Sequence, residues 1–294
     1  LVLLSFPLSG VFSLMGHTPD LVELETIYYR ILIYGACFSL AKAAFSSCFS
    51  GIGQSWVVMV CDLAGVLFNI VLSYALVFGK WGLPEMGIAG AAWGTVIATA
   101  LTLLLFFLFY RRAPIWQVFE VSKSWVIDRV LLSRYFRYGF PSGLEAFMNV
   151  VTFNVFLLMF QTYGLNEGAA MAIVFNWDLL SFISMVGLHI AVMSLSGRYV
   201  GAGELDNLNK LIVSAFGIAL GVTFTVAVIF WSQAEFLVDI FDTGEPDFAE
   251  IRALAIAMMV GLACYVMADG LNLAASGVLR GAGDTRWLMF VSVG

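Results

Sequence analysis

Runs of about 20 apolar residues recur along almost the whole chain, separated by short polar segments. A helical run of this length matches the thickness of the hydrocarbon core of a bilayer. We therefore predict an all-α polytopic membrane protein with seven complete spans and a partial span at each end. The complete spans lie near 25–50, 55–78, 88–110, 136–162, 168–195, 210–232 and 250–275, and the partial spans near 1–14 and 286–294.

The composition supports a membrane location for the 294-residue chain. Hydrophobic residues make up 61% and charged residues 12% of the chain, whereas soluble domains carry about 25% charged residues. The sequence has no basic patch suited to a nucleic acid partner. Its four cysteines lack metal or redox spacing, and its two histidines lie far apart. No spacing of a nucleophile and base appears either, so we expect neither an enzyme nor a bound cofactor.

The positive charges fall almost entirely in one of the two sets of alternate loops. That set holds ten Lys and Arg residues, while the opposite set holds two, Lys80 and Arg252. The positive-inside rule then places the first set in the cytoplasm. The short loops fit a protein of the bacterial inner membrane. The ten residues are Arg111, Arg112, Lys123, Arg129, Arg134, Arg137, Arg198, Lys210, Arg280 and Arg286.

The longest predicted connection, residues 113–135, divides the chain into two parts. It is basic and amphipathic, with aromatic residues among its charges, so we predict a cytoplasmic linker that lies along the membrane surface. Residues 1–112 would then form the later part of an N-terminal helical bundle. Residues 136–294 would form an incomplete C-terminal bundle.

A weak internal repeat agrees with this division. The segment FSGIGQSWVVM at 49–59 resembles LRGAGDTRWLMF at 279–290, and the Pro-Asp dipeptides at 19–20 and 246–247 recur at nearly the same offset of about 230 residues. This offset contains six helices, and an even number preserves the orientation of the repeat in the membrane. We therefore expect a parallel repeat of two six-helix bundles, with about twelve helices in the intact protein. The present chain would lack the first two helices and the last one.

Two acids, Glu145 and Asp269, lie within predicted spans. A charged group at the centre of a bilayer costs roughly 2.5–3.5 kcal/mol on insertion scales, so an acid there indicates a functional site. The alternatives are a satisfied structural carboxylate at Asp269 and, at Glu145, an acid favoured by the dipole at a helix N-terminus. Further candidate oxygen ligands in the same region are Asn149, Asn176, Asp178 and Asn272.

Lys42 and Asp62 flank the glycine-containing turn near 52–53 at similar distances along the chain. We predict that they form a structural ion pair between neighbouring helices. The glycine-rich segments at 51–53 and 281–283 follow membrane helices rather than strands, so they predict tight turns and not a dinucleotide site.

Four stretches together resemble the multidrug and toxic compound extrusion (MATE) family, in its NorM-like branch, and the resemblance covers essentially the whole chain. The order and spacing of the stretches make the resemblance specific, although none is decisive alone. The stretches are NIVLSYALVFGKWGLPEMGIAGAAWGT at 69–95, GFPSGLE at 139–145, SGRYVGAG at 196–203 and ADGLNLAASGVLRGAGDTR at 268–286.

This resemblance implies a secondary active antiporter that exports small organic cations, such as drugs and dyes, in exchange for Na+ or H+. Two bundles would rock to give alternating access. The resemblance assigns coupling of the cation, including binding of Na+ if Na+ is used, to Glu145 and Asp269, and it places Asn176 near that site. We expect a monomer in the lipid bilayer.

Two other functions stay open at this point. The first is a flippase for a lipid-linked glycan or other amphiphile from the same superfamily. Its anionic substrate would favour a cavity with Arg or Lys, whereas the embedded groups predicted here are mostly acidic. The second is a membrane receptor or scaffold without transport activity, which would explain neither the repeat nor the paired acids.

Overall fold

The computed structural model describes residues 19–112, 128–161, 163–242 and 248–293. These residues contain nine α-helices and no strand. The helices are α1 (Pro19–Gly51), α2 (Ser55–Val77), α3 (Gly87–Arg112), α4 (Arg129–Gln161), α5 (Leu165–Ala202), α6 (Leu205–Ser232), α7 (Ala234–Asp239), α8 (Phe248–Ala282) and α9 (Thr285–Val293).

Each complete predicted span corresponds to one of these helices, and the all-α polytopic fold is confirmed. Within the described ranges, six helices are long and apolar enough to cross a membrane, namely α1, α2, α3, α5, α6 and α8. Helix α4 has 33 residues, and its membrane crossing stays a prediction. The partial span at 1–14 lies outside the described residues. The short helix α7 was not predicted.

Helix α4 begins earlier than the sequence pattern predicts. Its first residue is Arg129 rather than residue 136, and the Asp128 carboxylate accepts hydrogen bonds from the backbone N–H groups of Val130 and Leu131. Glu145 therefore lies more than about four turns into the helix. The helix dipole acts mainly on the first turn, so it does not account for this acid.

The helices divide into two compact units, one holding α1–α3 and the other holding α4–α9. The assignment of these units to two bundles of a longer protein stays a prediction. Of the predicted linker at 113–135, residues 113–127 lie outside the described residues, and 129–135 belong to helix α4.

In the first unit, α3 packs closely against α2 because small residues line the contact. A Cβ at Gly90 would lie 2.6 Å from the Leu76 backbone, and one at Gly94 would lie 2.8 Å from the Ser73 Cα. At the other end of the unit, the buried rings of Phe49 and Phe106 lie 5.9 Å apart. Small residues that allow backbones to approach are typical of helix contacts in membranes.

The two glycine-rich segments form tight turns, as predicted. Gly53 and Gly283 both have positive φ angles, of 79° and 87°. In each turn the next residue donates a backbone hydrogen bond to the carbonyl five residues back, from Gln54 to Phe49 and from Asp284 to Leu279. This arrangement is a common helix end, and glycine adopts its left-handed residue without a steric penalty.

Helices α1 and α2 are also joined by charge. Lys42 Nζ lies 2.8 Å from Asp62 Oδ1, and both side chains are partly exposed. The predicted ion pair is therefore present, whereas its structural role stays a prediction.

In the second unit, helix α8 packs against both α5 and α6. A Cβ at Gly277 would lie 2.9 Å from the His189 carbonyl oxygen, and one at Gly281 would clash with the Met193 carbonyl oxygen. Ser196 donates a hydrogen bond of 3.0 Å to the Val278 carbonyl across the same contact. The close approach fixes the register of α5 against α8.

The short helix α7 is held against α8 by an ionic contact. Arg252 donates hydrogen bonds to Asp239 (2.6 Å) and Glu235 (3.2 Å). The hydrogen bond from Arg252 holds the pKa of the Asp239 carboxyl below its ordinary value.

We predict that Lys42→Met destabilises the protein by roughly 1–3 kcal/mol, because Asp62 then lacks its partner in a partly buried position. Thermal unfolding in detergent and the yield in membranes measure this effect. Lys80→Met, in the exposed loop after α2, is the matched control. A normal yield and melting temperature for Lys42→Met would contradict the structural role.

We predict that Gly281→Ala destabilises the protein by about 1–3 kcal/mol, because the added methyl group forces α5 and α8 apart. Gly261→Ala is the matched control on the same helix, since a Cβ there meets no atom within 4 Å. Thermal unfolding of the two variants distinguishes overpacking from the general effect of replacing glycine. Equal melting temperatures would show that the contact is looser than described.

Candidate functional site

A cavity of about 580 Å³ lies within the second unit, between helices α4, α5 and α8. Its volume is in the range of small-molecule sites. It combines apolar walls with several polar and charged groups. The lining residues are Glu145, Ala146, Asn149, Val150 and Phe153 from α4, Phe175, Asp178, Leu179, Phe182 and His189 from α5, and Tyr265, Asp269, Asn272, Leu273, Ser276 and Arg280 from α8.

Helix α8 supplies a continuous polar stripe to this cavity. Successive polar residues are separated by three or four positions, so all of them lie on one helical face. Charged residues stand near both ends of the stripe, and neutral groups lie between them. The stripe consists of Tyr265, Asp269, Asn272, Ser276 and Arg280.

Helices α4 and α5 supply the remaining carboxylates and most of the aromatic surface. Glu145 and Asn149 stand one turn apart on α4, and Asp178 faces the same cavity from α5. The rings of Phe153 and Phe175 lie 4.9 Å apart across the contact between these two helices. The cavity is thus acidic and aromatic at once.

The Glu145 carboxylate forms an ion pair with the Arg280 guanidinium. Arg280 Nη2 donates a hydrogen bond of 2.9 Å to Glu145 Oε1. Glu145 is 3% exposed, so its charge is almost fully removed from water. A buried carboxylate needs such a partner, because leaving it alone would cost several kcal/mol.

His189 links α5 to α8 beside this ion pair. Its Nδ1 atom lies 2.9 Å from the Leu273 carbonyl oxygen, which can accept a hydrogen bond but cannot donate one. Nδ1 also lies 3.1 Å from Ser276 Oγ. Ser276 Oγ also donates a hydrogen bond of 3.0 Å to the same carbonyl.

Asp178 and Asp269 form a second acidic group in the cavity. Both carboxylates line the same cavity, and like charges that share a cavity repel each other. Within the described part of the chain, neither forms a hydrogen bond or an ion pair. These acids are therefore open to a cation from outside the protein, which distinguishes them from Glu145.

The structure brings together five of the six predicted ligands. Glu145, Asn149, Asp178, Asp269 and Asn272 all line the cavity. The sixth, Asn176, does not line it.

Asn176 is exposed and does not line the cavity. Its Nδ2 atom donates a hydrogen bond of 2.8 Å to the Ala172 carbonyl of its own helix. Two positions along an α-helix correspond to a rotation of about 200°. The side chains of Asn176 and Asp178 consequently point in nearly opposite directions.

Sequence reasoning missed Arg280 as a site residue and counted it as a cation of a cytoplasmic loop. The structure places it in the last turn of α8, with its head group on Glu145. Tyr265 and His189 were missed as well. The spacing of three or four residues between Asp269, Asn272, Ser276 and Arg280 would have indicated that they share one helical face.

The comparisons with known proteins agree with this architecture. The family model MatE matches residues 1–75 and 141–294. A relative from Thermotoga maritima, "Probable multidrug resistance protein NorM", is 31% identical over 95% of this chain and 59% of its own length. A protein of the same name from Agrobacterium fabrum is 26% identical over 96% of this chain and 61% of its own length.

A solved structure of a MOP superfamily transporter from Pyrococcus furiosus has the same fold. It superposes with a TM-score of 0.83 at 20% identity, covering 99% of this chain and 63% of that chain. The present chain spans about three fifths of the length of the relatives that it matches. The match to the family model covers most of the chain, and the chain belongs to the MatE family.

Proposed function

We propose that the protein containing this chain is a secondary active antiporter that exports small organic cations in exchange for Na+ or H+. The observation that carries the proposal is the charge of the cavity. Three carboxylates and one guanidinium line it, which gives a formal charge of −2 when all four are ionised. A cavity of this charge inside a membrane protein attracts cations and disfavours anions.

The aromatic walls of the cavity suit an organic cation better than they suit a metal ion. Phe153, Phe175, Phe182 and Tyr265 offer aromatic faces beside the acids. Aromatic rings attract desolvated cations through their quadrupole. A volume of about 580 Å³ accommodates a molecule of drug size. Multidrug resistance is the function named for the relatives from Thermotoga and Agrobacterium.

Coupling follows if both cations use the same carboxylates. Na+ or a proton that binds at Asp269 and Asp178 neutralises part of the charge that holds the organic cation. The organic cation then binds more weakly and is released. A ligand changes the equilibrium between two states only by its different affinity for them, and this competition supplies the difference. The rocking of two bundles is the conformational part of the proposal and follows from the sequence repeat.

Both coupling ions are chemically compatible with the site. A proton needs an acid whose carboxylate form is destabilised, and two neighbouring carboxylates meet this condition. Na+ needs several oxygen ligands, as hard cations do. The amide oxygens of Asn149 and Asn272 line the same cavity and would supply further ligands.

Arg280 is the observation that favours a second candidate, a flippase for an anionic lipid-linked substrate. A guanidinium in a membrane cavity binds phosphate well. In this structure, however, Arg280 is already bound to Glu145, and the two remaining carboxylates would repel an anion. The antiporter is therefore the better supported proposal.

The cellular setting forms part of the proposal. The six apolar helices agree with a multi-pass membrane protein, and we propose the bacterial inner membrane as its location. We also propose that it acts as a monomer, since one unit supplies every group of the described cavity.

We predict that Glu145→Gln and Asp269→Asn each abolish coupled efflux of a fluorescent organic cation, because each variant removes one negative charge from the cavity. The measurement uses cells that express the full-length protein, with an imposed Na+ gradient or an imposed proton gradient. Wild-type efflux that follows one of the two gradients identifies the coupling ion.

Asp206→Asn is the matched control for this experiment, because Asp206 is an exposed acid in the first turn of α6 and outside the cavity. Its efflux should equal that of the wild type. Normal efflux from Glu145→Gln or Asp269→Asn, at normal expression, would contradict the assignment. Efflux of an anionic lipid analogue in place of the cation would favour the flippase.

A further inference from the structure

The acids of the cavity are not equivalent. Glu145 is almost fully buried and holds the Arg280 guanidinium at 2.9 Å. Asp178 and Asp269 are less buried and have no ionic partner in the described part of the chain. One acid is thus neutralised by the protein itself, and two are left for an external cation.

Arg280 lies on the same helical face as Asp269, eleven residues or about three turns further along α8. It is the one Lys or Arg that lines the described cavity. Its guanidinium stays ionised under all ordinary conditions. If Glu145 were neutral, Arg280 would lose its ion-pair partner, and the formal charge of the cavity would change from −2 to −1, which weakens its attraction for a cation.

The usual assumption for an acid in such a site is direct binding of the transported or coupling cation. The ion pair offers a different role. Arg280 binds one oxygen of the Glu145 carboxylate, Oε1, so Glu145 would affect cation binding through the charge of that arginine. Removing Glu145 would then weaken cation binding because it leaves Arg280 unpaired, and not because a cation ligand is missing.

We propose that Arg280 is a specificity-determining residue of the cavity and that Glu145 acts as its counter-charge, leaving Asp178 and Asp269 as the cation-binding pair. This inference rests on the proposed function, since it concerns how the same cavity selects cations. It changes the role of Glu145 from a direct ligand to a positioning residue in the conformation described.

The test measures binding of tetraphenylphosphonium, an aromatic monovalent cation, to the purified full-length protein in detergent at pH 7.5. We expect Glu145→Gln to raise the Kd about tenfold, the effect of one extra positive charge nearby at an intermediate dielectric. We expect Arg280→Gln to bind at least as tightly as the wild type. The double variant Glu145→Gln/Arg280→Gln removes both charges, and its Kd should return to within about twofold of the wild-type value.

The two single variants are expected to change the Kd differently: Glu145→Gln raises it and Arg280→Gln does not. This difference distinguishes the proposed role from a merely structural one. A structural ion pair would give two destabilised proteins whose folded fractions bind the cation like the wild type. A double variant that binds as weakly as Glu145→Gln would overturn the inference. So would an Arg280→Gln protein that binds as weakly as Glu145→Gln.

Each single variant removes one partner of the ion pair between Glu145 and Arg280 and is expected to lower the stability of the protein. Size-exclusion profiles and melting temperatures identify the folded protein. If a single variant does not fold, the double variant still tests whether Glu145 is itself a cation ligand. A Kd within about twofold of the wild-type value shows that no cation ligand is missing, as the inference requires, and a loss of binding by the folded double variant overturns it.

Asp269→Asn separates this inference from the proposed function. Wild-type protein that binds no organic cation would overturn both. A second outcome is that the wild type binds the cation, Asp269→Asn binds it more weakly, and the double variant Glu145→Gln/Arg280→Gln does not recover the wild-type Kd. That outcome would overturn only the role assigned to Arg280.

Discussion

An ionised side chain that leaves water loses several kcal/mol of solvation, and the second unit places four such side chains around one cavity. The arrangement of these four side chains can be related to that cost. Glu145, the most buried of the four, is paired with Arg280. The two aspartates, which are less buried, share the cavity without a partner in the described residues. Because only one of the three carboxylates forms an ion pair, the cavity keeps a net negative charge that an external cation can neutralise.

The close packing of α5 on α8 makes the arrangement stable. Small residues such as Gly277 and Gly281 let the two backbones approach until side chains of one helix bond the carbonyls of the other. His189 is fixed in this way against Leu273. The contact sets the register of the two helices, and the register decides which polar residues reach the cavity. In the proposed antiporter, selectivity for cations thus depends on glycines that do not line the cavity.

The positions of the helices could be predicted from the sequence because a bilayer requires long apolar runs and satisfied backbone groups. Hydrophobic runs identify such helices well but locate their ends poorly. Helix α4 began seven residues before its predicted start, because its first turns carry polar residues and extend beyond the apolar run. For the same reason Arg280, near the end of α8, was assigned to a loop.

The site was predictable in part, since acids in apolar runs are costly and therefore conspicuous. Asp178 and Asp269 were identified on this basis, and both line the cavity. Asn176 was grouped with Asp178 because the two lie close together in the sequence. They point to different faces of α5, and the composition of the segment does not show which face lines the cavity. The partner of Glu145 could not be found by counting along the chain, since 135 residues separate it from Arg280.

In the proposed mechanism, a coupling cation and an organic cation compete for the same carboxylates. The most direct measurement is the Kd of tetraphenylphosphonium for the purified full-length protein, first with rising Na+ at constant pH and ionic strength, and then with falling pH at constant Na+. We predict that one of the two titrations raises the Kd and that Asp269→Asn removes this dependence. A Kd that is unchanged by both Na+ and pH would contradict the claim.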